Sequence, residues 1–293
     1  MALDYSRIKS HAFPDVHQTY QDRDTMLYAL SLGVGQDPLD PAGLAYCYEG
    51  SPGGLRVLPT QAVVLGHPGF WVKDPAFGLD WVKILHGEQR LQLHRPLPAA
   101  ATLTGRNRVT RIVDKGEGKG ALVVMERTLQ DEAGTPYATV ETVSFCRGDG
   151  GYSARGGQPS DAPLDPLPAT PGDRPPDHVD VQAIRPEAAL LYRLLADRNP
   201  LHADPGVARR AGFERPILHG LAAYGLACRA VLRQCLGDDP ARLRSFQLRF
   251  ASPVFPGETL RTEIWRADGL VQFRASIVER DVVVLSHGSA AVA

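Results

Sequence analysis

Asp197, Asn199 and His202 place a carboxylate, an amide and an imidazole within six residues, in the run Tyr192-Arg-Leu-Leu-Ala-Asp197-Arg-Asn199-Pro200-Leu-His202-Ala-Asp204-Pro. An acid and a base held this close can divide the proton transfers of one reaction on one small substrate. Pro200 fixes φ and limits the freedom of the loop that carries them. A second piece of chemistry follows in Pro216-Ile-Leu-His219-Gly220-Leu. Gly220 falls in the first turn of an expected helix, where N–H groups lack intrahelical acceptors and the dipole favours an anion. Without a Cβ, it lets a ligand come close to the backbone. Each residue also has a plainer use. Asp and Asn commonly cap helices and close Asx turns, and His219 reads as a structural histidine rather than a second base. Asp197, His202 and Asp204 could bind a metal by type, but their spacing matches no standard ligand pattern. The whole string, rather than any one member, favours catalysis.

The elements that position these residues read as two versions of one unit. Pro59 and Pro216 each open an apolar segment, Pro96 and Pro253 each follow one, and both pairs are separated by 157 residues. At the same offset His86-Gly-Glu-Gln-Arg-Leu-Gln-Leu93 falls on Leu243-Arg-Ser-Phe-Gln-Leu-Arg-Phe250, and both end in strand-like alternation. Upstream, Leu27-Tyr28 matches Leu191-Tyr192 at an offset of 164. Gene duplication followed by drift accounts for this. In the first copy Gln36-Asp37-Pro38-Leu39-Asp40 is set against Arg198-Asn199-Pro200-Leu201-His202, so Gly35 replaces Asp197 and Asp40 replaces His202. The first copy lacks the acid–base pair and is expected to supply structure and substrate binding.

Each copy should contain a short helix, an irregular region, a longer helix and several strands. In the second copy the long helix is expected from about Pro216 to Gln234, apolar on most sides and therefore buried. Strands are expected at 243–250, 259–266, 270–278 and 281–287. Residues 1–150 form the first unit, 151–176 a Pro/Gly-rich linker too poor in apolar residues to build a core, and 177–293 the second.

Hydrophobic content of 43% and charged content of 22% are ordinary for a soluble globular chain, and a formal charge of -1 gives no reason to expect nucleic acid or an anionic membrane. Cys47, Cys146, Cys228 and Cys235 form no CxxC pair. The first residues lack the basic-then-apolar pattern of a signal peptide, and the final Ala-Ala-Val-Ala is no Ser-Lys-Leu address. A cytoplasmic setting is expected.

The string from Tyr192 to Gly220 resembles the hydratase-2 signature of the MaoC-like dehydratases, the (R)-specific enoyl-CoA hydratases. That resemblance, which runs from about Arg23 to Gly288, implies an α+β double hot-dog fold: two tandem units, each an antiparallel sheet wrapped around a long central helix. It implies Asp197 and His202 as the catalytic pair, Asn199 beside them, and Gly220 as the amide that receives charge on a thioester oxygen. It further implies substrate contacts from His86, Gly87, Lys115 and Phe250, with Lys119 a local competitor of Lys115 for a phosphate. An acyl-CoA thioester and a second copy of the chain are the implied partners, with no metal or organic cofactor. Many relatives have Ser-Gly where this chain has Leu195-Ala196, which could alter the pocket or the position of the water. A drifted first copy is associated with room for long or bulky acyl tails. A hot-dog thioesterase and a non-catalytic acyl-CoA-binding subunit are the rivals, and retention of Asp197, Asn199, His202 and Gly220 together argues against both.

Overall fold

A computed structural model describes residues 3–172, 174–195 and 197–293. Ten strands make one antiparallel sheet: β1 (Val16–Tyr20), β2 (Ile84–Leu93), β3 (Ala101–Asp114), β4 (Ala121–Gln130), β5 (Pro136–Cys146), β6 (His178–Ala183), β7 (Ser245–Phe250), β8 (Thr259–Ala267), β9 (Leu270–Ile277) and β10 (Val282–Ala291). Their order is β1-β3-β4-β5-β2-β7-β10-β9-β8-β6, so each unit contributes five strands and the units meet where β2 pairs with β7. The four strands expected in the second copy are all present, within a few residues at their ends.

The seam has an internal symmetry. Arg90 pairs directly with Gln247, and these two are equivalents under the 157-residue repeat. A local two-fold axis therefore passes between them. Tyr28 and Tyr192, equivalents at the other offset, face each other with ring centroids 5.9 Å apart. On the sheet surface Glu88 of β2 takes both nitrogens of the Arg249 fork, at 2.7 and 3.0 Å, and ties the units side by side.

The helix Gly220–Leu236 lies in the hollow of the sheet, with twelve of its 17 residues buried. The apolar run Leu221-Ala-Ala-Tyr-Gly-Leu-Ala-Cys228 gives it no wet face in that stretch. It stops at Gly237, which takes the left-handed conformation while the Asp238 N–H donates back to the Leu232 carbonyl. Phe246, Leu248, Phe273, Ile277 and Val284 of the surrounding strands complete this core.

The first unit differs from expectation here. Its counterpart of the long helix is a single 3-10 stretch, Pro59–Val64. The cause is local. Gly66 and Gly69 have φ of +63° and +79°, and Pro68 between them lacks an N–H and disfavours a helical residue before it. A helix entering that sequence cannot continue, and the double hot dog has one long central helix instead of two.

A second correction concerns Asp40. Its side chain accepts from the Ala42 N–H and caps the short helix Pro41–Leu44, as Asp204 accepts from Gly206 and Val207 and caps Pro205–Arg210. The 164-residue offset thus continues through this loop, and Asp40 stands where Asp204 stands. Gly33 and Pro38 occupy the places of Asp197 and His202, so the first copy lacks the pair on either alignment.

The Pro/Gly-rich segment between the units runs along the sheet. Asp161 exchanges hydrogen bonds with Ile112 of β3, the Asp165 carbonyl accepts from Arg90, and the Ala169 carbonyl accepts from Gln272 of β9. Among the described residues, no helix is long and apolar enough to cross a membrane.

Candidate active site

The loop after Tyr192 makes the turns that Asp and Asn ordinarily make. Asp197 accepts the Asn199 N–H at 2.8 Å, and the Asn199 side-chain oxygen accepts the Leu201 N–H at 3.1 Å, capping the 3-10 turn Pro200–His202. The plainer reading of these residues is therefore correct as far as it goes. It does not compete with chemistry, because the turn leaves the Asp197 side chain exposed and carries His202 inward to 8% exposure.

The His202 ring is fixed by one hydrogen bond. Its Nδ1 lies 2.9 Å from the Ile217 carbonyl oxygen, which can only accept, so Nδ1 carries the proton and Nε2 presents a lone pair. Burial pushes the pKa of His202 below its ordinary value, while the Ile217 carbonyl and the Asp197 charge pull the other way. The imidazole is thus a neutral acceptor at neutral pH, beside a carboxylate.

His219, the residue before the helix, touches both partners. Its Nε2 donates to the Asp197 backbone carbonyl at 2.9 Å, and its ring stacks on His202 with centroids 3.7 Å apart and planes inclined by 26°. Tyr192, fully buried, backs the same ring at 5.0 Å. Burial, followed by the neighbouring His202, pushes His219 down to about 3.

From the helix start a line of contacts leads across the seam. A Cβ on Gly220 would sit 3.2 Å from the Phe250 ring, close enough to press on it, and glycine lets that ring lie on the helix start. The Phe250 ring is 4.6 Å from the imidazole of His86. His86 sits at a bulge in β2, where pairing with β5 skips Gly87. Burial lowers its pKa to about 4, and its Nε2 has no partner among the described residues. Beyond Gly87 comes Phe145, whose ring carries the Lys115 ammonium 5.1 Å from its centroid. The sequence-predicted residues therefore form one track, Asp197–His202, Gly220, Phe250, His86, Gly87 and Lys115, although 82 residues separate its ends at Lys115 and Asp197. Lys115 joins it through Phe145. Leu195 packs at the edge of the core, whereas Ala196 lies outside the described residues.

Sequence reasoning missed several residues. His67, exposed on its loop, is near enough to Asp197 and His86 to be influenced by them, and the protein around its ring, with Arg127 next, pushes its pKa down. Arg127 is wholly buried on β4 and donates to the Val63 carbonyl at 2.6 Å, pinning the 3-10 stretch that replaces the first unit's helix. The signal for His67 was present in Gly66-His67-Pro68-Gly69, which cannot be helix and so must present its imidazole from a loop. Nothing local distinguishes Arg127 from an ordinary strand arginine.

The arrangement sets an exposed carboxylate and an imidazole with a bare nitrogen near the first residue of a helix, at one end of a track that leads to a cation. Known proteins are similar to the chain along its whole length. Residues 18–148 match the MFE-2 hydratase 2 N-terminal domain, and residues 168–287 match the MaoC like domain. The chain is 41% identical to 3-hydroxyacyl-thioester dehydratase Y of Mycobacterium tuberculosis over 99% of its length and 98% of that protein. It is 36% identical to the probable enoyl-CoA hydratase 2 of Dictyostelium discoideum, over 100% of its length and 97% of that protein. Among solved structures, the MaoC-like dehydratase from Phytophthora capsici superposes with a TM-score of 0.85 at 34% identity, covering 99% of each chain. With both halves matched in order and relatives similar from end to end, the chain belongs to the MaoC-like dehydratase and enoyl-CoA hydratase 2 family of hydro-lyases, in its double hot-dog form.

Proposed function

We propose that the chain is an (R)-specific 2-enoyl-CoA hydratase, adding water reversibly to a trans-2-enoyl-CoA to give a (3R)-3-hydroxyacyl-CoA. The observation that carries this reading is the His202 tautomer: Nδ1 is spent on the Ile217 carbonyl, leaving Nε2 bare beside the Asp197 carboxylate. The names of the similar proteins, an enoyl-CoA hydratase and a 3-hydroxyacyl-thioester dehydratase, support the same chemistry in its two directions.

In this reading one water is held by Asp197 and His202 Nε2. Its oxygen bonds to C3, one of its protons passes to the dyad, and the dyad returns a proton to C2, so acid and base end as they began. Negative charge on the thioester oxygen is met by the Gly220 amide at the helix start, where the helix dipole favours an anion. Phe250 and His86 line the thioester, and Lys115 serves a phosphate of the CoA as a mobile point charge. The space left by the missing first-unit helix takes the acyl tail. A cavity of about 180 Å³ beside that stretch has Val64, Leu65, Leu194 and Leu195 on one side and the polar Gln18, Thr19 and Asp24 on the other.

Loss of the conjugated enoyl-thioester absorbance, followed over acyl chains of graded length, tests the activity. Coupling the product to (R)- and (S)-specific 3-hydroxyacyl-CoA dehydrogenases tests the face of addition. Full signal with the (R)-specific enzyme and none with the other is expected. No turnover on any chain length, or oxidation by the (S)-specific enzyme alone, rejects the proposal.

A further inference from the structure

His219 contacts both halves of the proposed dyad, and it also adjoins the proposed oxyanion amide. It reaches Asp197 through the backbone, by the 2.9 Å hydrogen bond from Nε2, and His202 through the ring, by the 3.7 Å stack. It is itself the N-cap residue of the central helix, directly before Gly220. Three loop positions are thus referred to one ring. The ring is held from behind by Tyr192, which meets Tyr28 across the local two-fold axis.

His219 is shut away from solvent and is poorly placed to act as a base. Nε2 is committed to the Asp197 carbonyl, and Nδ1 is buried with no partner among the described residues. The ring is 3% exposed, and protonating it beside His202 would put two cations in stacking contact. The charged or titratable groups facing this pair are Asp197 from the loop, Arg193 and Tyr192 from the preceding helix, and the two imidazoles themselves. Only Asp197 is anionic, and it is exposed.

We propose that His219 is the positioning residue of the site: its hydrogen bond sets the Asp197 backbone, and its stacked ring walls His202 from water and holds the imidazole in the proton-accepting form. This rests on the hydratase reading above. Its two contacts can be removed separately. His219→Phe keeps a flat ring against His202 and loses the donor to Asp197. His219→Gln keeps a donor and loses the wall.

Both variants should lower kcat by at least about tenfold, while KM for the enoyl-CoA and Kd for the saturated acyl-CoA of equal length stay within about twofold. They should differ in pH dependence. In His219→Gln, water reaches His202, and the acid limb of kcat moves up toward the ordinary histidine value of about 6.5. In His219→Phe the limb should stay in place. Nuclear magnetic resonance of the His202 ring in the full chain reads the same protonation shift without turnover. It therefore tests the wall even if wild-type protein hydrates no enoyl thioester, an outcome that would sink the hydratase reading alone. A His202 protonation midpoint unchanged in His219→Gln overturns the proposal. So does wild-type kcat in His219→Phe, or an equal rise of KM and Kd with kcat intact. If one variant fails to fold, the other still decides, since each removes one of the two contacts.

Discussion

If, as proposed, the Asp197 carboxylate and the His202 imidazole act on one water, their losses are interdependent. Asp197→Asn and His202→Ala should each reduce hydration by about 10²–10⁴ with the fold retained, and the double variant should be little worse than the poorer single one. Near-normal turnover in either purified variant removes the mechanism. The same burial that keeps the histidines neutral has a cost in acid. His86 and His219 have folded values of about 4 and about 3, below the unfolded value of about 6.5. Depressed values contribute stability that is fully present above pH ~6.5 and is lost as pH falls toward the folded values, because the unfolded chain then binds more protons. The thermal midpoint should therefore fall between pH 7 and pH 5, and His219→Phe, having lost one of these groups, should fall less steeply. Parallel slopes would show that His219 is already protonated or exposed. At this scale the sequence exposes residue types and spacing, and Asp197, Asn199 and His202 are readable from it. Tautomers are not, because they are set by the carbonyls of Ile217 and Asp197, which only folding brings to the rings.

Helix starts and loop turns decide whether those side chains meet a substrate. Gly220 is the first residue of its helix, a position where alanine is intrinsically better than glycine by up to about 1 kcal/mol. A Cβ there would press on the Phe250 ring at 3.2 Å and occupy the approach to the amide. Gly220→Ala should accordingly leave the thermal midpoint within a few degrees of wild type while lowering kcat/KM by at least about tenfold. Loss of stability without loss of turnover would mean that the glycine serves packing alone. Asp40 makes the opposite case, because its carboxylate caps a helix and belongs to no acid–base pair. Asp40→Asn should retain both activity and stability, since Asn caps about as well, whereas Asp40→Ala should cost about 1 kcal/mol, read by denaturant midpoint, with kcat unchanged. The second unit's helix and strands were legible because periodicity and burial agree along them. The first unit's missing helix was legible too, in Gly66, Pro68 and Gly69, but the repeat invited the copy to be completed by analogy. The loop alignment slipped by two residues for a similar reason: matching Pro38 to Pro200 looked chemical, while the cap at Asp40 and Asp204 is what the backbone shares.

At the scale of the whole molecule the two units are one sheet, and neither edge of the seam is prepared for water. Residues 165–293 contain Asp197, His202 and Gly220, yet separating them would uncover β7, with fully buried Phe246 and Leu248, and strip away Arg90, Glu88 and the Pro59–Val64 stretch. It would also remove His86, Gly87 and Lys115, and binding lost at a distance from the reacting carbons reduces turnover as well as affinity. The fragment should be insoluble or severely impaired; a soluble monomer with full activity would show that the first unit contributes neither support nor surface. The seam itself was foreshadowed by the match of residues 86–93 to 243–250, although pairing of equivalents at Arg90 and Gln247 needs the register to be seen. That pairing has an evolutionary corollary. Two separate identical units meeting on such an axis would suffer every substitution twice, so a change that opened room for a substrate on one side would damage the chemistry on the other. Joining them in one chain breaks that coupling, and the Gly66–Gly69 loop and the central helix, equivalents that no longer resemble each other, are what selection can make of two halves once their errors are no longer shared.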